Sequence, residues 1–302
     1  MLNFIRQSPI GPSRETNAGM ALNTVTNDRK KDLRTFVCLG FVLLVLEVLI
    51  PWMAGIWGLL PRAAAPILEL ALYGPIALMT VWTRSAPARY HMDKSSLWIV
   101  AGSGVFLGLA AFGSAESLLA SVGFALALGF LLRGVKGRIG GFRSWSPNTL
   151  KWTIFGAGGG LVLGVIYAVP RAITSVVTEP VDKAGGITIL AGIAFGFVSQ
   201  LARSSALEEP IYRGFLWGAL RRARMTDWVA CVIQAVLFAA AHRGYGVSGP
   251  WYITTALLGG VFFGLLAWRS RSLIPSMVAH ALYNTVQVPL LVILSEVFRQ
   301  YR

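Results

Sequence analysis

The chain has 302 residues, 55% of them hydrophobic and 13% charged, with a net charge of +14 and a mean hydropathy of +0.63. Soluble domains carry about 25% charged residues, so a water-facing globular surface is excluded and the bilayer is the natural solvent. The basic excess falls in short segments between apolar runs, not in a stripe interleaved with aromatics, which argues against nucleic acid as a partner.

In chain order, residues 1–34 form a polar, basic tail without the short apolar core of a cleavable signal peptide. Phe36–Leu60 follows as a first retained span. Further apolar runs cover Ala64–Trp82, Leu97–Phe112, Leu118–Leu132, Ile154–Val169, Ile187–Leu201, Trp228–Ala241, Tyr252–Trp268 and Leu273–Leu294. A membrane helix needs about 20 mostly apolar residues, and several of these runs are short. The fold class is therefore an all-α, polytopic transmembrane helical bundle of about seven to nine membrane helices. Solid apolar runs do not match the alternating strands of a membrane barrel. The basic segments, namely the N-terminus, Arg84–Lys94, Arg133–Lys151, Arg203–Arg224 and Arg269–Arg271, alternate with poorer ones. By the positive-inside rule they face the cytoplasm, N-terminus included. The organisation reads as a tail (1–34), N-terminal transmembrane helices (35–186) and a C-terminal membrane core (187–295). The glycines Gly156–Gly160 and Gly259-Gly260 fit close helix approach better than a phosphate loop, since no Lys-Ser/Thr follows. Cys38 and Cys231, both in apolar runs, read as small buried hydrophobes.

Ionisable residues at membrane depth are costly and mark candidate sites. The strongest signal is Glu208-Glu209-Pro210-Ile211-Tyr212-Arg213. On a helix Glu209 and Arg213 share a face, whereas Glu208 points about 100° away. That geometry makes Glu209 and Arg213 a neutralised pair and leaves Glu208 for general-base work. Of the three histidines, His91 lies in a basic loop and reads as solvated. His242 ends the run Phe238-Ala-Ala-Ala-His242, where small residues leave room beside the imidazole. His280 and Asn284 are four apart on one helical face and can both donate to a developing oxyanion. Each motif alone has a plainer reading: a buried ion pair, a histidine bonded to a carbonyl, or polar glue between helices. Glu47, Glu69 and Glu116 are single acids without an evident partner.

Taken together, Glu208-Glu209-x-x-x-Arg213, Phe238-x-x-x-His242 and His280-x-x-x-Asn284 resemble the signature of the CAAX protease and bacteriocin-processing family. This family, also called Abi, includes the Rce1-type prenyl endopeptidases. The resemblance covers roughly a third of the chain. Pro210 and Tyr212 depart from the family's usual apolar residue and phenylalanine. The resemblance implies an all-α intramembrane endopeptidase of the glutamate type. On it, Glu208 and His242 activate a water, and His280 and Asn284 form the oxyanion hole. Glu209 and Arg213 support the site, as does Phe238 from the second motif.

The expected partners are membrane lipid and a peptide or lipidated-protein substrate, either a prenylated Cys-a-a-X tail or a leader peptide, in a bacterial inner membrane. No cofactor is expected. Three rivals follow from the same residues. Glu208, His242 and His280 could bind one zinc, although the His-Glu-x-x-His arrangement is absent. Gly246-Val-Ser248-Gly249 matches a rhomboid-like serine motif, but such patterns arise readily in Gly-rich loops. A non-catalytic role, in bacteriocin immunity, as a scaffold or in proton-coupled transport, would also use buried acids.

Overall fold

The computed structural model describes residues 147–174, 186–242 and 250–300, together with most positions from 91 to 103. The spans expected before residue 91 and at Leu118–Leu132, and the Ser248 motif, lie outside the described residues. What is described is helical. Helix α1 runs Pro147–Thr174 and α2 runs Gly186–Gln200. The latter continues through a wide π-type turn at Leu201–Ser205, α3 at Ala206–Glu209, a second π-type turn at Pro210–Leu216 and α4 at Trp217–Arg222. Then come α5 at Asp227–His242, α6 at Pro250–Ser270 and α7 at Ile274–Gln300.

Three of these helices are long and apolar enough to cross a membrane: Pro147–Ile173, Tyr252–Ser270 and Ile274–Ser295, with mean hydropathies of 1.7, 1.4 and 1.6. The shorter Asp227–His242 is also apolar. Their outward positions, such as Ile154, Phe155 and Val162 on α1 and Trp228, Val232 and Val236 on α5, are exposed hydrophobics, as expected of helices facing lipid.

Arg203–Arg224, read as a basic loop, continues the helix that begins at Gly186, and its middle is interior: Glu208, Glu209, Ile211, Tyr212, Arg213 and Phe215 are all buried. The charged residues lowered the apparent hydropathy of a segment whose charges are satisfied within the protein. Pro210 neither starts nor ends the helix. It lacks an N–H to give to the preceding turn, and the backbone takes it at the start of the second π-type turn, with helical dihedral angles on both sides. Such widened turns recur at functional sites.

Short connections fold the rest. Arg224 adopts a left-handed conformation (φ 64°) between α4 and α5, and Arg271 does so (φ 55°) between α6 and α7. In the second turn the Ser270 hydroxyl donates to the Leu266 carbonyl (2.7 Å) and accepts from the Ser272 N–H (3.1 Å). Ser272 in turn caps α7 by accepting from the Ile274 N–H at 3.2 Å. The turns meet around Trp217, whose indole N–H donates to Asp227 (3.2 Å), and Trp228 packs edge-on to Trp268 (5.2 Å). Tryptophan beside arginine suits a membrane–water boundary.

His91 packs edge-on against Trp217 at 5.2 Å. It is 6% exposed rather than solvated, and burial holds its pKa down to about 4. The tryptophan cluster covers a side chain that the polar sequence around it had left in water.

Helix α7 is the axis of the bundle. Helix α1 lies along it, α6 packs on both α1 and α7, and α2 with its π-type turn closes the other side. The closest approach of α1 to α7 is made at glycines: a Cβ at Gly160 would overlap the Ala279 carbonyl, and one at Gly156 would stand 2.8 Å from the Pro275 carbonyl. The close-approach reading of this glycine run is thus the one the packing uses.

Candidate active site

The polar residues converge where the middle of the α2–α4 rod meets α5 and α7. Glu209 and Arg213 lie four apart on the rod and pair at 3.2 Å with both side chains fully buried. Arg213 also donates to the Gly260 carbonyl (3.4 Å) and stacks over the Phe238 ring at 4.3 Å. The same Glu209 oxygen that meets Arg213 accepts from His280 Nδ1 at 2.9 Å. A buried carboxylate can only be kept there by partners of this kind, and here two helices supply them.

Because Nδ1–H of His280 is given to Glu209, its Nε2 is the atom that faces the site. It lies 3.9 Å from Glu208 Oε2. His242 is fixed in the same sense from the other side. Its Nδ1 donates to the Phe238 carbonyl at 2.8 Å, and a carbonyl only accepts, so in the neutral ring Nε2 carries the lone pair. That Nε2 stands 3.8 Å from Glu208 Oε2. Both imidazoles therefore turn the same edge toward one carboxylate oxygen, which is buried without a hydrogen-bond partner. An oxygen atom seated in this gap would be within hydrogen-bond reach of Glu208 and an imidazole together.

Phe238 is the partition that keeps these groups apart. Its ring packs on His242 (4.3 Å) and edge-on to His280 (5.6 Å), while Phe263 stacks on His280 from behind (4.9 Å). Glu208, His242, His280, Asn284, Glu209, Arg213 and Phe238 are thus gathered in one place from three helical segments. Asn284 lies there too, but its amide donates to the Ser204 hydroxyl at 3.0 Å. Ser204 also donates to Glu208 Oε1 at 3.2 Å. Sequence reasoning missed Ser204, although its position four residues ahead of Glu208, on the same helical face, was a usable signal. Another residue it missed is Gln234, which crosses from α5 to the Gly260 carbonyl at 2.8 Å beside Arg213.

His242 is the more exposed of the two imidazoles, with 14% of its side chain accessible against 1% for His280. It ends α5 at the opposite pole from Asp227 and the arginine-rich turn. The more accessible imidazole therefore stands roughly 22 Å from the arginine-rich turn, the rise of a helix of this length. Among the described residues no group of three His, Cys, Asp or Glu side chains is disposed to hold a metal ion. Cys231 is a buried free thiol directed at the Val261 carbonyl (3.7 Å).

Among the described residues, then, a helical bundle gathers its polar groups around one buried carboxylate, Glu208, that faces two oriented imidazoles. Residues 186–286 match the family model described as Type II CAAX prenyl endopeptidase, Rce1-like. The matched stretch contains every residue of the site, and the match agrees with the resemblance carried by the three motifs. The matched stretch, about a third of the chain, is thus similar to a CAAX-type intramembrane protease. No curated protein and no solved structure matches the chain.

Proposed function

We propose that this protein is a metal-independent intramembrane endopeptidase in which Glu208 is the general base. The reading rests on one observation: Glu208 Oε2 is buried, has no hydrogen-bond partner, and faces the Nε2 atoms of His242 and His280 at 3.8 and 3.9 Å. A water held by Glu208 and His242 would attack the scissile carbonyl carbon. Its proton would pass to Glu208 and then to the leaving amine, so that one peptide bond breaks and a carboxylate and an amine are released. The tetrahedral oxygen would be held by Asn284, once its amide is released to the substrate, and by His280 Nε2 when that ring is protonated, since its Nδ1–H stays with Glu209. Glu209 and Arg213 keep His280 in register, and Phe238 sets the spacing. The substrate would be a membrane-held peptide, a prenylated Cys-a-a-X tail or a leader peptide, reached from lipid in a bacterial inner membrane with the N-terminus cytoplasmic.

The test is cleavage of a farnesylated Cys-a-a-X peptide and of a leader peptide by purified protein in lipid vesicles, compared with Glu208→Gln. That isosteric change should lower kcat at least 1000-fold, an order set by loss of a general base and its charge together, while thermal unfolding is retained. Cleavage at the wild-type rate would remove Glu208 from the mechanism. Loss of wild-type activity in chelator, restored by zinc, would replace the metal-free reading with a metal-dependent one.

A further inference from the structure

Ser204 lies in the π-type turn Leu201–Ser205, one wide turn ahead of Glu208. Its Oγ is 3.2 Å from Glu208 Oε1, 3.0 Å from Asn284 Nδ2 and 3.5 Å from His280 Nε2. One hydroxyl thus reaches three of the four residues assigned to the chemistry, on two different helices. The directions of these bonds are fixed by what each group can do. An amide nitrogen only donates, so Ser204 accepts from Asn284. An ionised carboxylate only accepts, so the single Ser204 hydrogen goes to Glu208.

Two consequences follow. Glu208 is held by one oxygen, Oε1, which turns the other, Oε2, toward the imidazoles. In addition, the Ser204 oxygen occupies the point on which the Asn284 amide and the His280 ring converge, where the proposed mechanism needs the carbonyl oxygen of the substrate. We propose that Ser204 is a positioning residue for Glu208. Its hydroxyl orients the general base and stands in for the substrate oxygen at Asn284 until a substrate takes that place. This rests on the peptidase reading for its catalytic consequence, but the hydrogen-bond arrangement exists independently of it.

A hydroxyl–imidazole–carboxylate line also runs from Ser204 through His280 to Glu209, and it resembles a nucleophile with its base. The Ser204 hydrogen, however, is directed at Glu208 and not at His280 Nε2, which is the longer of its contacts. The structure therefore favours positioning over nucleophilic attack.

The experiment compares Ser204→Ala and Ser204→Thr in the full-length protein by two readouts. The first is kcat and KM for the prenylated peptide in vesicles. Loss of a hydrogen bond to a charged group should lower kcat roughly 10- to 100-fold in Ser204→Ala, with KM little changed, and Ser204→Thr should recover most of it. The second is the 15N spectrum of the three histidines in detergent across a pH series, which needs no substrate. The His280 and His242 resonances should move in Ser204→Ala and return in Ser204→Thr. Wild-type kcat and unmoved resonances in Ser204→Ala would overturn the proposal. So would a rise in KM alone, or a covalent fluorophosphonate adduct on Ser204 with activity abolished as fully as in Glu208→Gln. If the resonances respond as expected while the wild-type protein cleaves neither peptide, the positioning role stands and the peptidase reading fails.

Discussion

Replacing Arg213 by methionine should be among the most damaging single changes available in this protein. Arg213 and Glu209 are both 0% exposed and pair at 3.2 Å, so removing the guanidinium leaves a buried carboxylate with His280 as its remaining cationic-type donor, at 2.9 Å. Breaking a buried pair from one side costs about 3–5 kcal/mol. The lost stacking over Phe238, at 4.3 Å, adds about 1 kcal/mol. Glu209→Gln keeps an acceptor for His280 and Arg213 but strands the arginine charge, and should itself cost several kcal/mol. The double variant removes both charges, so its cost should fall short of the sum of the singles by about 2 kcal/mol or more. Unfolding by denaturant in mixed micelles, followed by tryptophan fluorescence, measures all three. Additive costs, or a cost below about 1 kcal/mol for Arg213→Met, would show that the pair is not the buried, mutually dependent unit described above.

Two other outcomes can be checked without a substrate. Gly160→Leu should destabilise the fold by about 3 kcal/mol or prevent it forming, because its Cβ would collide with the Ala279 carbonyl next to His280. Gly158→Leu, with nothing within 4 Å of its Cβ, should stay within about 0.5 kcal/mol of wild type; thermal unfolding in detergent separates the pair. His91 has its pKa lowered from 6.5 to about 4, by burial first, against a raising effect of Asp227 and with Arg271 and Arg221 lowering it further. Its folded value lies below its unfolded one, so between these two values the unfolded chain binds the proton and the fold does not. Stability should therefore be full above pH 6.5 and fall as the pH drops toward 4. His91→Phe should flatten that slope, and an unchanged slope in the variant would assign it to other groups.

The sequence alone determined the solvent and the class of fold. Apolar runs of bilayer length leave no alternative to helices, because a backbone in hydrocarbon must satisfy itself. It also determined which residues are expensive enough to need a purpose, since Glu208, Glu209, Arg213, His242 and His280 stand out by charge against an apolar background. The i, i+4 spacings correctly paired Glu209 with Arg213 and put His280 with Asn284, as these relations are local to one helix. Only the tertiary structure decided how the helices face one another. It showed that the segment around Glu208 is interior and not a loop, which hydropathy missed because mutually neutralised charges look hydrophilic one at a time. It joined Glu209 to His280 across 71 residues of sequence, oriented both imidazoles toward one carboxylate oxygen, and put Ser204 beside Asn284. Those distances depend on glycine-thin contacts between α1 and α7 and on the widened turns around Pro210, and side-chain packing of that kind leaves no period in the sequence.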